Sequence, residues 1–321
     1  MTRSAGQAAP NPPKTDGRVP DFFIVGHHKS GTTALYEMLR RHPQVYMPDL
    51  KEPRFLAADL RSLVEPTGPS ALPQTLDEYL ALFDAARPDQ RVGEASPSYL
   101  RSSTAAGAIA DLQPGARIIA ILREPASFVR SMHLHLVKER VESENDLRKA
   151  FAHEELMRQG KRVLRYSDHV RYVEQLSRYH AVFARDQVLV VIYDDYRRDN
   201  EGTVRAVRRF LDVDDTLPVE AMDVNTGVRV RSVRLDAAAR VLDGGRGPVL
   251  GAVRTSVKAL TPGRLRRDAR AIRRRLVYGS PTPPDESFMA ELRHRFKPEV
   301  VALSDYLERD LVKLWGYEDI D

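Results

Sequence analysis

Residues 21–41, DFFIVGHHKSGTTALYEMLRR, narrow what this chain can fold into more than any other stretch. The run Phe22-Phe23-Ile24-Val25 is short, apolar and partly aromatic or β-branched, which reads as a buried strand. Gly26 breaks it, the chain turns through His27, His28, Lys29, Ser30 and Gly31, and from Thr32-Thr33 the pattern changes. Ala34, Leu35, Met38 and Leu39 then recur at helical spacing. A strand, a glycine-bounded loop and a helix start make the layout of a phosphate cradle. Curled backbone turns N–H groups inward, and the helix N-terminus adds partial positive charge. The plain alternative is a tight strand-to-helix turn with no ligand.

The spacing Gly26 to Gly31 fits the first half of a nucleoside-triphosphate loop, G-x-x-x-x-G, but the second half fails. The position after the second glycine, where that loop needs lysine, is Thr32, and the lysine, Lys29, lies inside the loop. Triphosphate chemistry also leans on Mg²⁺. The best internal strand, Ile118-Ile119-Ala120-Ile121-Leu122, ends in Arg123 rather than in an Asp able to hold that metal. Two cations without a metal carboxylate suit the transfer of a less charged group, and no metal is expected.

Two separated motifs carry a family resemblance. HHKSGTTALYEML resembles the 5′-phosphosulfate-binding loop of the sulfotransferases that use 3′-phosphoadenosine 5′-phosphosulfate (PAPS), and ILREPASFVRSM resembles their 3′-phosphate-binding segment. The resemblance implies that Lys29, Ser30, Gly31, Thr32 and Thr33 hold the 5′-phosphosulfate, with Lys29 on the bridging oxygen of the leaving phosphate, where charge accumulates. Arg123, at a strand end, and Ser131, eight residues on, take the 3′-phosphate. Lys51-Glu52-Pro53-Arg54-Phe55 is similar to the K-E-P-x-F segment of the heparan-type carbohydrate sulfotransferases, which makes Glu52 the candidate catalytic base; otherwise it is a solvated carboxylate between basic neighbours. Glu94-Ala95-Ser96-Pro97-Ser98-Tyr99 resembles the family's E-K-S-P-x-Y, with Ala95 in place of lysine and Ser96 and Tyr99 as contact or packing residues. A looser match, VNTGVRVRSVRL, offers Asn225, Gly227 and Arg229 as a closure over the donor. His133, on the helix after Arg123, is the alternative base, against the ordinary role of a helix histidine as a packed core residue.

The 321 residues suffice for one large α/β domain or two small ones, and 42% hydrophobic content supports a core. Because the motifs run from residue 21 to residue 317, residues 21–321 read as a single domain after a disordered lead-in over 1–20 that lacks the apolar region of a secretory signal. No apolar run reaches the length of a membrane span. The absence of cysteine rules out disulfides and thiolate metal sites and leaves the compartment open, with cytoplasm as the default. The net charge of +5 needs no partner beyond an anionic nucleotide.

Along the chain, Leu76, Tyr79, Leu80 and Phe83 predict a short helix that serves as a lid or a packing element. Residues 139–165 read as charged and helical, and Val188–Tyr193 as a strand whose Asp194-Asp195 pair caps the loop before a helix over 200–211. A last helix is expected over 298–315, burying Val300, Leu303, Leu307, Leu311 and Trp315. Residues 229–275 hold fourteen Arg or Lys against three Asp. They read as a solvated face, a contact for an anionic acceptor or membrane surface, or a nucleic-acid contact, the last weakened by the lack of interleaved aromatics.

The expected fold is a three-layer, P-loop-like α/β domain with a central parallel sheet flanked by helices. The expected function is sulfuryl transfer from PAPS to a hydroxyl on a small-molecule or carbohydrate acceptor, such as a sugar, lipid or secondary metabolite, with no nucleic-acid partner. The alternatives are a P-loop kinase using ATP and Mg²⁺ and a nucleotide-binding regulator that docks nucleic acid through its basic segment.

Overall fold

A computed structural model describes residues 18–61, 72–139, 141–153, 156–158, 161–164, 166–220, 229–230, 278–279 and 283–320. The lead-in over residues 1–17, Asn225, Gly227 and nearly all of the basic segment 229–275 lie outside the described residues.

The chain divides into two compact units, one formed by Met1–Leu122 with Glu174–Met222 and the other by Arg123–Val173 with Asp223–Asp321. The first unit is built on a parallel sheet. Its elements in order are β1 (Phe22–Gly26), α1 (Thr32–Arg40), β2 (Val45–Tyr46), α2 (Ala58–Arg61), α3 (Leu76–Leu80), β3 (Arg91–Ala95), α4 (Ala105–Leu112) and β4 (Arg117–Leu122). The strands stand in the order β2-β3-β1-β4 and end on a fifth, Val188–Ile192, with every pairing parallel. Helices flank this sheet, as expected of a fold whose strands alternate with helices.

The strands read clearly in the sequence because both their faces are covered. All five residues of β1 are buried, and so are Ile118 to Leu122 of β4. In register, Ile24 lies opposite Ala95 of β3 and Gly26 lies opposite Ile121 of β4. The chain leaves β1 toward β3 on one side and returns to β4 on the other, so strand order switches at β1. In open α/β sheets ligands bind beyond the carboxyl ends of the strands at such a switch.

The short helix predicted near residue 76 is α3, continued by a single 3₁₀ turn over Ala81–Phe83. Tyr79, Leu80 and Phe83 are buried, so it is a packing element and not a lid. Its start carries a reciprocal cap, in which Thr75 accepts from the Glu78 amide and Glu78 reaches back to the Thr75 amide.

The second unit begins at Arg123 with α5 (Pro125–Lys138) and continues with α6 (Leu147–Ala152), β5 (Leu156–Arg158) and β6 (Lys161–Leu164). Here the expected helical segment over 139–165 is corrected. Among the described residues of that span only Leu147–Ala152 is helical, and β5 and β6 pair antiparallel. Phe151 of α6 is buried among the rings of Tyr166, Phe288 and Phe296.

The chain passes through α7 (Tyr172–His180) and enters β7 (Val188–Ile192), α8 (Tyr193–Arg198) and α9 (Asn200–Phe210). Asp194 and Asp195 lie in the first turn of α8 and not in the loop before α9. The side chain that caps α9 is Asp199, which accepts from the Gly202 amide at 2.8 Å. The remaining described elements of the second unit are β8 (Arg229–Val230), β9 (Tyr278–Gly279), α10 (Glu286–Tyr306) and α11 (Leu311–Trp315). The single expected last helix is therefore two, interrupted where Glu308 has φ 51°, and Leu307 at the break is only half-buried. Among the described residues no helix is long and apolar enough to cross a membrane.

Candidate active site

The loop between β1 and α1 depends on its two glycines. Gly26 has φ 137°, and a Cβ there would lie 2.4 Å from the Ile121 carbonyl oxygen. Gly31 has φ 85°, and its missing Cβ leaves room for the Tyr196 ring, whose nearest atom would otherwise be 2.6 Å away. Between them Lys29 also has positive φ, 64°, a conformation that costs a non-glycine residue about 1–2 kcal/mol. Such backbone is held only where its surroundings fix it, and it gathers at functional sites.

The loop fits a phosphate on two further observations. Helix α1 starts from Gly31 with no side-chain cap and no acidic residue in its first turn, so its leading amides are available to an anion. The Ser30 hydroxyl is fully buried and finds no hydrogen-bond partner among the described residues. A buried hydroxyl left unpaired costs about 1–3 kcal/mol, which a bound oxyanion would relieve. Thr32 is buried beside it and Thr33 is exposed.

The segment after β2 returns to this end of the sheet and is anchored through alternate amides. Glu52 N–H donates to the Ala95 carbonyl at 3.1 Å, Arg54 N–H to Ser96 Oγ at 3.1 Å, and Leu56 N–H to Tyr99 Oη at 3.1 Å. Glu52 and Arg54 take φ of 61° and 55° to make this path, so three of the positive-φ non-glycine residues fall in these two loops. Farther along, Asp59 of α2 accepts from the Ser102, Ser103 and Thr104 hydroxyls and from the Ser103 amide, which pins the segment's far end.

Glu52 sits between two cations. Lys51 Nζ lies 2.7 Å from Oε1 and Arg54 Nη2 lies 2.5 Å from Oε2, with the carboxylate side chain 21% exposed. Burial pushes its pKa up, but the charges of His28, Lys51 and Arg54 outweigh burial and hold it well below the usual carboxylate range. The group is ionised at neutral pH, as a base must be.

Beneath this loop lies a group that sequence reasoning quoted in a motif and passed over. Glu94 of β3 is fully buried, with Tyr79 Oη donating to its Oε2 at 2.8 Å. Burial lifts its pKa to about 7, against the opposing pull of hydrogen bonds from Ser96, Tyr79 and Tyr99. Its signal in the sequence was a carboxylate set between Val92-Gly93 and Ala95 of a strand. Ser96 and Tyr99 themselves are fully buried and serve as anchors.

Arg123, Ser131 and His133 belong to the second unit. Arg123 directly follows the last residue of β4, and its carbonyl accepts from Tyr172 Oη at 2.9 Å. Glu124 then caps α5, accepting from the Ala126 and Ser127 amides at 2.9 and 2.6 Å, with Pro125 in the first turn. Ser131 is half-buried on α5.

His133 is buried, with Nδ1 3.0 Å from Tyr166 Oη and Nε2 3.3 Å from the Asn145 carbonyl. A carbonyl only accepts, so Nε2 carries the proton, while Nδ1 lies against the Tyr166 hydroxyl, which also faces Glu142. Both ring nitrogens have partners inside the protein, and burial lowers the ring's pKa. Arg229 opens β8.

An open cavity lined by Arg18, Asp21, Gln44, Arg91 and Asp212 lies at the opposite, amino end of β1 and β3, away from this chemistry.

The sequence profile described as the sulfotransferase family matches residues 20–216. Human carbohydrate sulfotransferase 15 is 28% identical over 152 residues, covering 36% of this chain and 27% of that protein. Human bifunctional heparan sulfate N-deacetylase/N-sulfotransferase 3 is 25% identical over 210 residues, covering 62% of this chain and 23% of that protein. The chain thus spans about a quarter of the length of these two curated relatives. Among solved structures, a sulfotransferase from Alicyclobacillus acidocaldarius superposes with a TM-score of 0.64 at 26% identity, covering 93% of this chain and 99% of that one.

Proposed function

The chain belongs to the sulfotransferase family, and from that premise we propose that it transfers a sulfuryl group from PAPS to an acceptor hydroxyl. The observation that carries this reading is the strained loop at the switch of the sheet, with Lys29 inside it, beside a Glu52 held ionised on the adjoining segment. The amides of Ser30 to Thr33 and the hydroxyls of Ser30, Thr32 and Thr33 hold the 5′-phosphate and the sulfonate. Lys29 neutralises charge as it builds on the leaving phosphate oxygen. Arg123 and Ser131 hold the 3′-phosphate, the first by a charge-assisted bond, and Asn225, Gly227 and Arg229 are assigned to donor binding.

Glu52 accepts the proton as the acceptor oxygen bonds to sulfur and the sulfur–phosphate oxygen bond breaks. Held by two cations it is a weak base. An anionic group on the acceptor that draws off Lys51 or Arg54 strengthens it, which favours carbohydrate or other charged acceptors. The step uses no metal, since the sulfuryl group carries less charge than a phosphoryl group. We also assign residues 21–321 to one functional domain, because the family match over 20–216 includes the second unit's residues 123–173.

The test is incubation with isotopically labelled PAPS and panels of hydroxylated carbohydrates, lipids and phenols, followed by mass spectrometry. Label entering one acceptor class supports the proposal. Label that stays in PAPS, together with phosphoryl transfer from ATP and Mg²⁺, would overturn it.

A further inference from the structure

We propose that Glu94 is a positioning residue whose buried carboxyl fixes the hydroxyls that hold the Glu52 loop. The role of that loop in sulfuryl transfer rests on the function proposed above; the clamp itself does not.

Glu94 lies in the middle of β3 and is fully buried. A carboxylate removed from water is costly unless hydrogen-bonded. Here the three groups able to serve it are hydroxyls: Tyr79 Oη at 2.8 Å, and those of Ser96 and Tyr99. Each hydroxyl has one proton and two lone pairs. Ser96 Oγ accepts from the Arg54 amide and Tyr99 Oη from the Leu56 amide, so in both the proton remains for another acceptor, Glu94 or, for Ser96, the neighbouring Tyr99 oxygen. The route therefore runs from loop amide to hydroxyl oxygen, and from hydroxyl proton to carboxylate.

A fourth tie is the Phe55 ring, stacked on Tyr79 with centroids 4.8 Å apart. Burial pushes both phenols well above their ordinary range, so Tyr79 and Tyr99 remain donors. Glu94 Oε1 has no well-formed hydrogen bond among the described residues, which leaves the carboxyl room to take up a proton.

Protonation changes the clamp's polarity. The acid becomes a donor itself and competes for the oxygens that the loop amides use. The groups facing Glu94 are Tyr79 from α3, Ser96 and Tyr99 from the turn after β3, Glu52 from the loop, and Tyr179 from α7. Of these Glu52 carries charge at neutral pH, and its negative charge favours the protonated form of Glu94. Burial places the change near neutrality. The Glu52 amide bonds to a backbone carbonyl instead of a hydroxyl, so it is an internal control within the same loop.

The test is amide hydrogen exchange of the full chain, read at residues 52, 54 and 56 on both sides of neutral pH after correction for intrinsic rates. Loss of one hydrogen bond lowers protection by about tenfold. The expectation is that Glu94→Gln lowers protection at Arg54 and Leu56 while Glu52 keeps its own, and that it removes the wild type's pH dependence at those two amides. Ser96→Ala should act at Arg54 alone and Tyr99→Phe at Leu56 alone, and the pH dependence of the wild type's own protection at those two amides keeps the test open if the glutamine variant folds poorly.

Unchanged protection at 54 and 56 in Glu94→Gln, or equal loss at all three amides, overturns the proposal. Binding of 3′,5′-adenosine bisphosphate, followed by calorimetry, should hold in each variant, whereas turnover with the labelled donor should fall in Glu94→Gln. A wild type that transfers no sulfuryl group would sink the functional reading and leave the exchange result to judge the clamp.

Discussion

Glu52 and Ala95 are joined by a backbone hydrogen bond of 3.1 Å, and Ala95 is the residue that lies in register with Ile24 of β1. The candidate base therefore rides on the strand beside the one that leads into the Lys29 loop. The anchor is the backbone carbonyl of Ala95 and needs no side chain there.

Loss of the base is the first expected effect. Glu52→Gln keeps the side chain's shape and removes its charge, so turnover should fall by about 10²–10⁴-fold, while calorimetry finds the affinity for 3′,5′-adenosine bisphosphate unchanged. His133→Ala should lower the thermal midpoint and leave the turnover of the folded protein near normal, since both ring nitrogens serve internal partners.

Donor discrimination can be read directly. If Arg123 and Ser131 hold the 3′-phosphate, 3′,5′-adenosine bisphosphate should bind at least about tenfold more tightly than adenosine 5′-monophosphate, because a hydrogen bond to a charged group is worth ~1.5–3 kcal/mol. Arg123→Ala should close most of that gap in calorimetry and leave monophosphate binding unaffected.

Stability should depend on pH in a direction set by Glu94. Its carboxyl goes from an ordinary 4.5 to about 7 on folding, so between those values the folded chain binds more protons than the unfolded one. This contribution is fully present below about 4.5 and is lost as pH rises through about 7. Glu52, lowered on folding, acts oppositely and only in acid, where its ion pairs are lost as pH falls. Thermal melts of Glu94→Gln should show a flatter decline toward neutrality, and an unaltered slope would contradict the assignment.

Gly31→Ala should cost stability and donor binding together. The new Cβ would meet the Tyr196 ring at 2.6 Å on a backbone with φ 85°. Strain of this kind is of order 1–3 kcal/mol, a drop of several degrees by scanning fluorimetry, and calorimetry should find binding of 3′,5′-adenosine bisphosphate weakened.

The basic stretch 229–275 provides a separate check. Duplex DNA should form no complex with the chain at physiological salt. A complex whose affinity falls steeply as salt rises would be the signature of phosphate contacts and would revive a nucleic-acid role.

Much of the first unit was legible because its strands are covered on both faces. Phe22 to Val25 and Ile118 to Leu122 are continuous apolar runs for that reason, and Val188 to Ile192 keeps the pattern at the sheet edge with Leu189 and Val190 only half-buried. The two glycines of the loop were legible because few other residues permit the turn. What stayed hidden obeys other rules. The hairpin of β5 and β6 is too short and charged to show a period, and Asp194 and Asp195 resemble loop residues although Tyr193 has already begun a helix. The positive φ of Lys29, Glu52 and Arg54 leaves no mark in residue type, since it is imposed by anchors elsewhere in the chain. Glu94 was hidden because its partners Tyr79 and Tyr99 look like ordinary core aromatics.

Those three left-handed residues set heat resistance against chemistry. Glycine would occupy such backbone without steric penalty, where lysine, glutamate or arginine pays about 1–2 kcal/mol each. A population of variants selected only for surviving heat should drift toward glycine at position 29, while Glu52 and Arg54, tied to each other by an ion pair, resist the change, and its survivors would be sturdier proteins without the lysine of the loop.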